Sequence, residues 1–436
     1  MGAAGRAPLD RQRWDEAQMK RLLMYSQDGM GLGHLRRSWN IAQEVLARSP
    51  GCEVLILADS PATSLFTSQP GLDVLKLPTI VKKGSASWMS GSWETGTLSS
   101  GIERITRLRA KLILDTFVEF QPDTVVIDHM PVGALGEVKP LLDSVALLRN
   151  RPRLFLGLRD ILDDPEVIRR VWTELDAYEY LRSYDAVLIY GQREVYDATS
   201  AYRLFPDARN IVYCHYVVST SSNGSTGLSR DPFLLMMGGG GSDAFPVADA
   251  LLKGLPMMGR NGGMRTIILT GPNMLSTERR ALLGQMSSAV QVHSALEDAE
   301  TWIEHASAVV TLGGYNSLCE VLKWRKKALV VPRWGPSAEQ RTRTELFSQR
   351  NLIKVLEPHF LGPERFGEEL SALLSDDEIP TAANIPPLDG AERAAAVLLD
   401  GLPSDTVVAA MPQGQDRAER AGDAAQLIET SDAYPN

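Results

Sequence analysis

The chain contains 436 residues, which is long enough for two ordinary domains, each with its own hydrophobic core. Hydrophobic residues make up 44% and charged residues 23% of the sequence, as is typical of soluble globular proteins. The net charge of −9 disfavours a nucleic-acid partner, and no apolar run approaches the ~20 residues that a membrane-spanning helix needs.

The cysteines and the first residues indicate the compartment. Cys52, Cys214 and Cys319 are widely separated and show no CxxC or cysteine–histidine spacing, which argues against a disulfide framework or a structural zinc site. Residues 1–20 are polar and lack the apolar stretch of a signal peptide. We therefore expect a cytoplasmic protein that begins with a disordered segment at 1–20.

Short apolar runs alternate with helical segments through the first half of the chain. Strands are predicted at 21–26, 52–58, 73–78, 123–130, 153–160, 185–191 and 210–217, and helices at 35–49, from Pro61, and at 102–120. This alternation is the pattern of a parallel α/β sheet. We expect it to form an N-terminal domain over residues 21–218.

A Ser- and Gly-rich segment at 81–101 interrupts the pattern and carries Trp88 and Trp93. A long unpatterned loop in a compact domain is usually functional or disordered, so it is interpreted as an acceptor-binding or lid loop, with surface disorder as the alternative. The helix that follows has a basic face formed by Arg104, Arg107, Arg109 and Lys111. This face is either solvated or lies on an anionic membrane.

The second half repeats the alternation after a polar segment at 219–230, which is predicted to be an interdomain linker. Its strands are predicted at 233–238, 265–271, 289–294, 308–314, 327–332 and 352–357, and its last helix at 390–402. We expect a C-terminal domain over 231–402 and a disordered tail over 403–436. Two doubly wound parallel sheets would then face each other across a cleft, because ligands bind at the carboxyl ends of such strands.

Two glycine-rich turns in the second half, MGGGGSDAF and TLGGYNSLCE, each lie between an apolar run and a potential helix. Glycines there let backbone N–H groups approach a phosphate, and the helix N-terminus adds positive partial charge. An acid one helical turn further on could bind both hydroxyls of a ribose. The candidate donor-binding residues are Gly239, Gly240, Gly241, Ser242, Gly313, Gly314, Asn316, Ser317, Glu320, Arg333 and Gln340.

Each of these candidates also has a simpler interpretation. Asn316 or Ser317 could be an ordinary N-cap of its helix. Arg333, Glu339 and Gln340 lie on a loop that we expect to face the donor sugar. Arg333 and Glu339 could instead form surface salt bridges, an alternative that is weaker for Gln340. These alternatives stay open at the level of the sequence.

The first glycine loop, DGMGLGHLRR, is an imperfect match to the dinucleotide-binding pattern. With Asp59 at the end of the second strand as a ribose-binding acid, NAD binding is arguable. The alternative is that Gly31 and Gly33 open the acceptor side of the cleft, together with Trp88 and Trp93.

Three residues are candidates for the catalytic base. His34 lies in this loop, and Asp128 and His129 end a predicted strand; an aspartate bonded to a histidine would fix its tautomer and raise its basicity. Asp160 is a further acidic candidate. The chain contains no Asp-x-Asp triplet, so we expect metal-independent chemistry in which helix dipoles and backbone amides stabilise a leaving diphosphate.

The second half resembles the C-terminal domain of GT-B glycosyltransferases, in particular the MurG-like group. The resemblance lies in GGGGSDAF, ASAVVTLGG, Glu320, KALVVP and Gln340, in that order, and GLGHLRR, IDHMPVG, GLRDILDDP and YDAVLIYG extend it over most of 21–402. It implies a GT-B architecture of two Rossmann-like domains, with Glu320 on the ribose, Gln340 at the sugar and His34 as the base. The loop GMGLGH and the AEQ sequence depart from the family pattern, which leaves the donor sugar and the acceptor open.

The first hypothesis is therefore an inverting, metal-independent glycosyltransferase of the hexosyltransferase type that uses a nucleotide-diphosphate sugar, preferably UDP-linked. It would need no cofactor besides this co-substrate. The alternatives are a nucleotide-sugar 2-epimerase or hydrolase of the same fold, and a non-catalytic nucleotide-sugar-binding scaffold. The expected partners are the donor and a glycosyl acceptor; a lipid-linked acceptor would require peripheral contact with the inner face of the membrane.

Overall fold

The computed structural model describes residues 21–408 with the exception of 30, 83–92, 206, 220–230, 297–298, 334, 336, 377–379 and 381–382. The expected disordered segment at 1–20, nearly all of the expected linker at 219–230 and most of the expected tail at 403–436 lie outside the described residues.

The strands of the first half begin and end close to the predicted apolar runs. They are β1 (Arg21–Ser26), β2 (Glu53–Ala58), β3 (Leu72–Lys76), β4 (Ile80–Lys82), β5 (Trp93–Thr95), β6 (Thr124–Asp128), β7 (Arg153–Arg159), β8 (Ala186–Tyr190) and β9 (Asn210–Tyr213). All except β4 and β5 join one parallel sheet in the order β9-β8-β7-β6-β1-β2-β3. β4 and β5 form a separate antiparallel pair.

The helices of the first half cover both faces of this sheet. They are α1 (Gly33–Arg48), α2 (Ile102–Phe120), α3 (Lys139–Ala146), α4 (Pro165–Glu174), α5 (Ala177–Tyr180) and α6 (Ala198–Ala201). Successive residues of β1 pack alternately into two hydrophobic clusters, Leu22 and Met24 into one and Leu23 and Tyr25 into the other. Burial on both faces explains why β1 is a nearly continuous apolar run. The helix predicted from Pro61 is only a 3-10 turn at Thr63–Leu65.

The second half forms another parallel sheet. Its strands are β10 (Phe233–Met237), β11 (Arg265–Leu269), β12 (Val290–His293), β13 (Ala308–Thr311), β14 (Ala328–Val330) and β15 (Lys354–Val355), in the order β12-β11-β10-β13-β14-β15. Its helices are α7 (Phe245–Gly254), α8 (Ser276–Leu283), α9 (Ala299–His305), α10 (Tyr315–Lys323), α11 (Glu339–Ser348) and α12 (Pro363–Ser375). The chain order changes direction between β10 and β13, as in a doubly wound sheet.

The last helix, α13 (Gly390–Asp400), returns to the first half and packs against α1. Its buried residues Ala394 and Leu398 share one hydrophobic cluster with Leu35 and Ile41 of α1. A final strand, β16 (Val407–Val408), then pairs antiparallel with β9 at the edge of the first sheet. This differs from the expected domain over 231–402 and the expected disordered tail from 403, because the apolar face of α13 is buried against the other domain.

None of the helices in the described part of the chain combines the length and the apolar character that crossing a bilayer requires. The basic face expected on α2 is also smaller than predicted. Arg109 is fully buried, and its guanidinium donates to Asp59, Glu137 and the Tyr25 hydroxyl. Arg104, Arg107 and Lys111 remain exposed.

Candidate active site

Residues that follow β1 and β7 of the first sheet contact residues that follow β13 and β14 of the second. Arg343 of α11 donates from Nε and Nη2 to the two carboxylate oxygens of Asp160, at 2.9 and 2.6 Å, directly after β7. Arg36 of α1 donates from Nη1 to Oε1 of Glu320 at 2.8 Å. The carboxyl ends of the two sheets therefore line a common cleft.

His34 and Asp128, both predicted as catalytic, form a direct pair on the acceptor side of this cleft. His34 is the second residue of α1, which follows β1, and Asp128 ends β6, the strand next to β1. His34 Nδ1 lies 2.5 Å from Asp128 Oδ2. A proton on Nδ1 that is donated to Asp128 leaves Nε2 free to accept a proton from a ligand. The His34 side chain is 13% exposed and the Asp128 side chain 2%, so the histidine is the member that a ligand can reach.

Arg37, one helical turn beyond His34, holds the other side of Asp128. Its Nη2 lies 2.9 Å from Oδ1 and 2.7 Å from Oδ2 of Asp128, and 2.8 Å from His34 Nδ1. Burial raises the pKa of Asp128, but the charges of Arg37 and His34 and their hydrogen bonds outweigh it and hold the pKa below its usual value. Asp128 is therefore an anion that can stabilise a positive charge on His34.

His129, the third catalytic candidate, packs against His34 with ring centroids 4.5 Å apart. It is only 1% exposed and has a left-handed backbone with φ +75°. Burial, followed by the positive charges of His34, Arg159 and Arg37, lowers the pKa of His129 far below its usual value. The structure therefore places His129 as a neutral neighbour of His34 with little surface for an acceptor.

The first glycine loop is held by two carboxylates, Asp28 and Asp59. Asp28 accepts from the backbone N–H groups of His34 and Leu35 and so occupies the N-terminus of α1. Asp59 accepts from the N–H groups of Asp28 and Gly29, pairs with buried Arg109 and is fully buried. The dinucleotide interpretation is therefore wrong, because Asp59 cannot reach a ribose and a pyrophosphate would meet the Asp28 carboxylate.

The remaining acceptor-side candidates have different positions. Gly31 lies in the loop before α1, where its carbonyl accepts from the Ser60 hydroxyl, and Gly33 is the first residue of α1. Trp88 lies outside the described residues. Trp93 is 6% exposed and packs in β5 with Ile80 and other apolar side chains. Trp93 therefore stabilises the β4–β5 hairpin and does not lie on the open loop that was expected.

The two predicted donor turns follow β10 and β13, which are adjacent strands, so they lie side by side. Gly239, Gly240, Gly241 and Ser242 form the first turn and Gly313, Gly314, Asn316 and Ser317 the second. Gly313 has φ +84°, and a Cβ there would meet Thr344 Cγ2 at 2.7 Å, so the turn requires glycine. Gly314 is the N-cap of α10 and has no side chain that could accept from the helix N–H groups, so neither Asn316 nor Ser317 is the N-cap.

The turn before α10, the second predicted donor turn, contacts α1 directly. Asn316 Nδ2 donates to the carbonyl of Gly33 at 3.1 Å. Glu320, one turn further along α10, is 15% exposed and pairs with Arg36. Burial, and to a lesser degree Glu300, raises the pKa of Glu320, while Arg36 opposes this rise. The candidate ribose ligand is thus a carboxylate whose present partner is an arginine from the other domain.

The loop after β14 carries the last candidates. Arg333 donates from Nη1 to Asp243 in the first donor turn at 3.1 Å, and its backbone N–H donates to Gln340 Oε1 at 3.2 Å. Arg333 therefore lies beside the turn after β10, and Gln340 lies beside Gly313 in the turn after β13. Glu339 instead is 3% exposed and pairs with Arg159 and Arg343, so it belongs to the contact between the domains and is not a ligand for the donor sugar.

Asp160 is likewise committed to this contact. It is 1% exposed, and both of its oxygens accept from Arg343, which excludes it as a base in this arrangement. Asp163 accepts from the N–H of Ala338 across the same boundary. Among the described residues, no group of three or more His, Cys, Asp or Glu side chains is arranged to hold a metal ion.

Sequence reasoning missed Arg36, Arg37 and Asp28. Arg37 follows His34 by three residues on a predicted helix, and this spacing could have placed it on the same face as His34. Arg36 pairs with a residue 284 positions away, and Asp28 caps a helix from six residues upstream. Those contacts are set by the fold and have no local sequence signal.

Comparison with known proteins gives the architecture a precedent. No protein-family model matches the chain. A UDP-N-acetylglucosamine–N-acetylmuramyl-(pentapeptide) pyrophosphoryl-undecaprenol N-acetylglucosamine transferase of Natranaerobius thermophilus is 21% identical over 165 residues, which are 37% of this chain. The chain spans only 45% of the length of that relative.

Two solved structures cover nearly the whole chain. A glycotransferase of kitacinnamycin superposes with a TM-score of 0.56 at 15% identity and covers 94% of this chain and 99% of its own. A UDP-glucose:anthocyanidin 3-O-glucosyltransferase in complex with UDP also has a TM-score of 0.56, at 13% identity, with 94% and 98% covered. The chain has the GT-B architecture of these glycosyltransferases, which confirms the predicted fold. The similarity to a MurG-like protein is the partial match to the transferase of Natranaerobius thermophilus.

Proposed function

We propose that the protein is a glycosyltransferase that moves a hexosyl group from a nucleotide-diphosphate sugar, preferably UDP-linked, to an acceptor hydroxyl with inversion. One observation carries this proposal. The His34–Asp128 pair and the uncapped N-terminus of α10 lie on opposite walls of one cleft, joined by the Asn316–Gly33 and Arg36–Glu320 contacts. A base thus stands opposite a potential diphosphate site.

The donor side suits a nucleotide diphosphate for two physical reasons. The backbone N–H groups at the start of α10 lack intrahelical partners, and the helix dipole adds positive partial charge where the phosphates would lie. Glu320 lies one turn along the same helix, a distance of about 5.4 Å, which matches the separation of a phosphate from its ribose hydroxyls. The neighbouring turn Gly239–Ser242 and the Arg333 side chain would complete the donor side, with Gln340 near the sugar.

The reaction would be a single displacement. The acceptor hydroxyl gives its proton to Nε2 of His34, and its oxygen forms the new bond to the anomeric carbon. The bond from this carbon to the diphosphate oxygen breaks, and its electron pair leaves with the diphosphate. Asp128 stabilises the resulting imidazolium, and the amides of α10 stabilise the leaving charge. Attack opposite to the leaving group inverts the anomeric configuration.

We also propose that the reaction needs neither a metal nor another cofactor, because the sequence has no Asp-x-Asp motif and the α10 amides can take up the leaving charge. A 2-epimerase or hydrolase would need additional free carboxylates at the sugar. Glu339 and Asp160, two carboxylates at the contact between the domains, are committed to arginines. A glycosyltransferase therefore fits the cleft better.

The acceptor class follows from weaker observations. The relative from Natranaerobius thermophilus is named for transfer to a pyrophosphoryl-undecaprenol acceptor, and a lipid-linked acceptor is one candidate here. The exposed Arg104, Arg107 and Lys111 on α2 would support peripheral contact with the inner face of an anionic membrane. Co-sedimentation with vesicles that contain anionic lipid would test this part separately.

The donor site can be tested without knowledge of the acceptor. A thermal-shift panel of UDP-, dTDP- and GDP-sugars should identify a ligand, and a ligand at 100 times Kd adds roughly 2.7 kcal/mol of stability. Glu320→Ala should abolish this shift, whereas Glu304→Ala, at an exposed position on α9, should not. His34→Ala should keep donor binding but abolish the release of nucleotide in the presence of acceptor. The matched control His305→Ala should retain both.

Three outcomes would count against the proposal. Donor binding that is insensitive to Glu320→Ala would remove the proposed ribose contact. Donor binding without turnover on lipid-linked, polysaccharide or small-molecule acceptors would favour the non-catalytic scaffold. Release of free nucleotide together with an epimerised sugar, without any acceptor, would instead indicate the epimerase alternative.

A further inference from the structure

Arg36 reaches across the cleft from the acceptor domain to the donor domain. Successive residues of a helix are rotated by about 100°, so Arg36 projects from a different face of α1 than His34 and Arg37. Whereas Arg37 turns inward to Asp128, the Arg36 side chain is 40% exposed and contacts Glu320. Arg36 is therefore a cation on a long, partly exposed side chain. It lies at the proposed donor site, outside the buried pair of Arg37 and Asp128.

The partner of Arg36 is the carboxylate that the proposed donor needs. Arg36 Nη1 donates to Oε1 of Glu320 at 2.8 Å, and so occupies one of the two oxygens that the ribose hydroxyls would use. The nearby Lys323 does not replace Arg36 as the cation at Glu320, because Lys323 is already paired with Glu300. Ribose hydroxyls that bind both oxygens of Glu320 would therefore compete with the Arg36 guanidinium for Oε1.

The start of α10 offers Arg36 a second position. Asn316 holds the backbone of α1 beside this helix N-terminus through the carbonyl of Gly33. The proposed diphosphate position lies one helical turn, about 5.4 Å, from Glu320, which is within reach of a guanidinium that turns on its side-chain bonds alone. Asp28 already accepts from the first N–H groups of α1, so these groups cannot bind the diphosphate. Positive charge from the acceptor domain therefore has to come from a side chain.

We propose that Arg36 exchanges partners when the donor binds: the ribose hydroxyls replace it at Glu320, and its guanidinium moves onto the nucleotide diphosphate. Arg36 then contributes to donor affinity and to stabilisation of the leaving group, and it couples donor binding to the contact between the domains. This inference rests on the proposed function, because it requires a nucleotide diphosphate in the cleft. Arginine suits the role, since its planar guanidinium binds phosphate through two parallel hydrogen bonds.

Comparison of a nucleoside with its diphosphate separates the two halves of the exchange. Calorimetry would measure binding of uridine and UDP to the wild type, Arg36→Ala, Arg36→Lys and the control Arg48→Ala, whose arginine pairs with Glu44 on α1. For Arg36→Ala we expect UDP affinity to fall at least tenfold, because a charged hydrogen bond to phosphate is lost. Uridine affinity should be unchanged or up to about fivefold higher, because Glu320 no longer has a competing partner.

Arg36→Lys should lie between the wild type and Arg36→Ala for UDP, because the charge remains and the paired hydrogen bonds do not. UDP affinity within threefold of the wild type in Arg36→Ala would overturn the inference while leaving the donor site intact. An equal loss for uridine and UDP would also overturn it, because Arg36 would then act only through the structure of Glu320. Failure of the wild type to bind any of UDP, GDP and dTDP would refute the proposed donor site itself, and the inference with it.

Discussion

Asp128→Asn removes the negative charge from the centre of the candidate catalytic pair and keeps the shape of the side chain. In the wild type, Arg37 Nη2 contacts both Asp128 oxygens, and both side chains are 2% exposed. Loss of one partner from a buried ion pair costs about 3–5 kcal/mol, because the other charge stays buried without compensation. Since an asparagine keeps one acceptor oxygen, we expect a loss near 3 kcal/mol in the free energy of unfolding.

The effect on catalysis should be separate from this loss. Without the carboxylate, the imidazolium of His34 is not stabilised, and the removal of general-base assistance lowers kcat by about 10²–10⁴. Urea denaturation measures the first effect, and the initial rate of UDP release with acceptor measures the second. Both measurements should be made at a temperature at which the variant is fully folded.

The double variant Arg37→Met with Asp128→Asn distinguishes a catalytic from a structural role of Asp128. Replacement of a buried ion pair by uncharged side chains is often neutral or stabilising, so much of the lost stability should return. The rate should not return, because His34 still lacks its anion. Recovery of the rate together with the stability, or a folded Asp128→Asn variant with turnover within threefold of the wild type, would refute this reasoning.

Two further predictions concern stability. Burial raises the pKa of Glu339, but Arg159 and Arg343 lower it more strongly, to about 2. Because the pKa of Glu339 is lower in the folded than in the unfolded state, its ionisation stabilises the fold by on the order of 3 kcal/mol above about pH 4.5. This stabilisation is lost as the pH falls toward 2. Glu339→Gln should therefore flatten the acid limb of urea midpoints measured against pH, and an unchanged limb would contradict the assignment. Gly313→Ala should cost about 2 kcal/mol, because alanine strains at φ +84° and its Cβ meets Thr344 Cγ2 at 2.7 Å. Gly51→Ala is the control, because no described atom lies within 4 Å of its added Cβ, and it should change stability by less than about 0.5 kcal/mol in the same denaturation assay. Equal effects of Gly313→Ala and Gly51→Ala would be inconsistent with the turn geometry.

Local patterns predicted the sheet and its glycine turns because both depend on short-range chemistry. The run RLLMYS forms β1 as expected, since a parallel strand that is covered on both faces is continuously apolar. The prediction that His34 and Asp128 share a sheet edge also followed from strand ends alone. The structure adds the pairing itself, because β1 and β6 are neighbours only through a crossover that the sequence does not specify.

Long-range partners explain the predictions that failed. Arg109 looked like part of a solvated basic face, but its helix turns it toward the buried carboxylates Asp59 and Glu137. Glu339 was expected to face the donor sugar, but it forms an ion pair with Arg159 from the other domain. In each case a charged residue has a buried partner from a distant part of the chain, and the amphipathic pattern of one helix contains no information about that partner.

The ion pairs across the cleft differ in burial, and this difference assigns them different roles. Asp160 and Arg343 are 1% and 0% exposed at the side chain, and the loss of one such buried partner costs several kcal/mol. Arg36 is 40% exposed, and an ion pair of that kind contributes about 0–1 kcal/mol. A ligand can therefore replace the Arg36–Glu320 contact at little cost, whereas it cannot separate Asp160 from Arg343. The domains stay joined at the buried pair while the outer contact exchanges, so donor binding can rearrange the cleft without opening it.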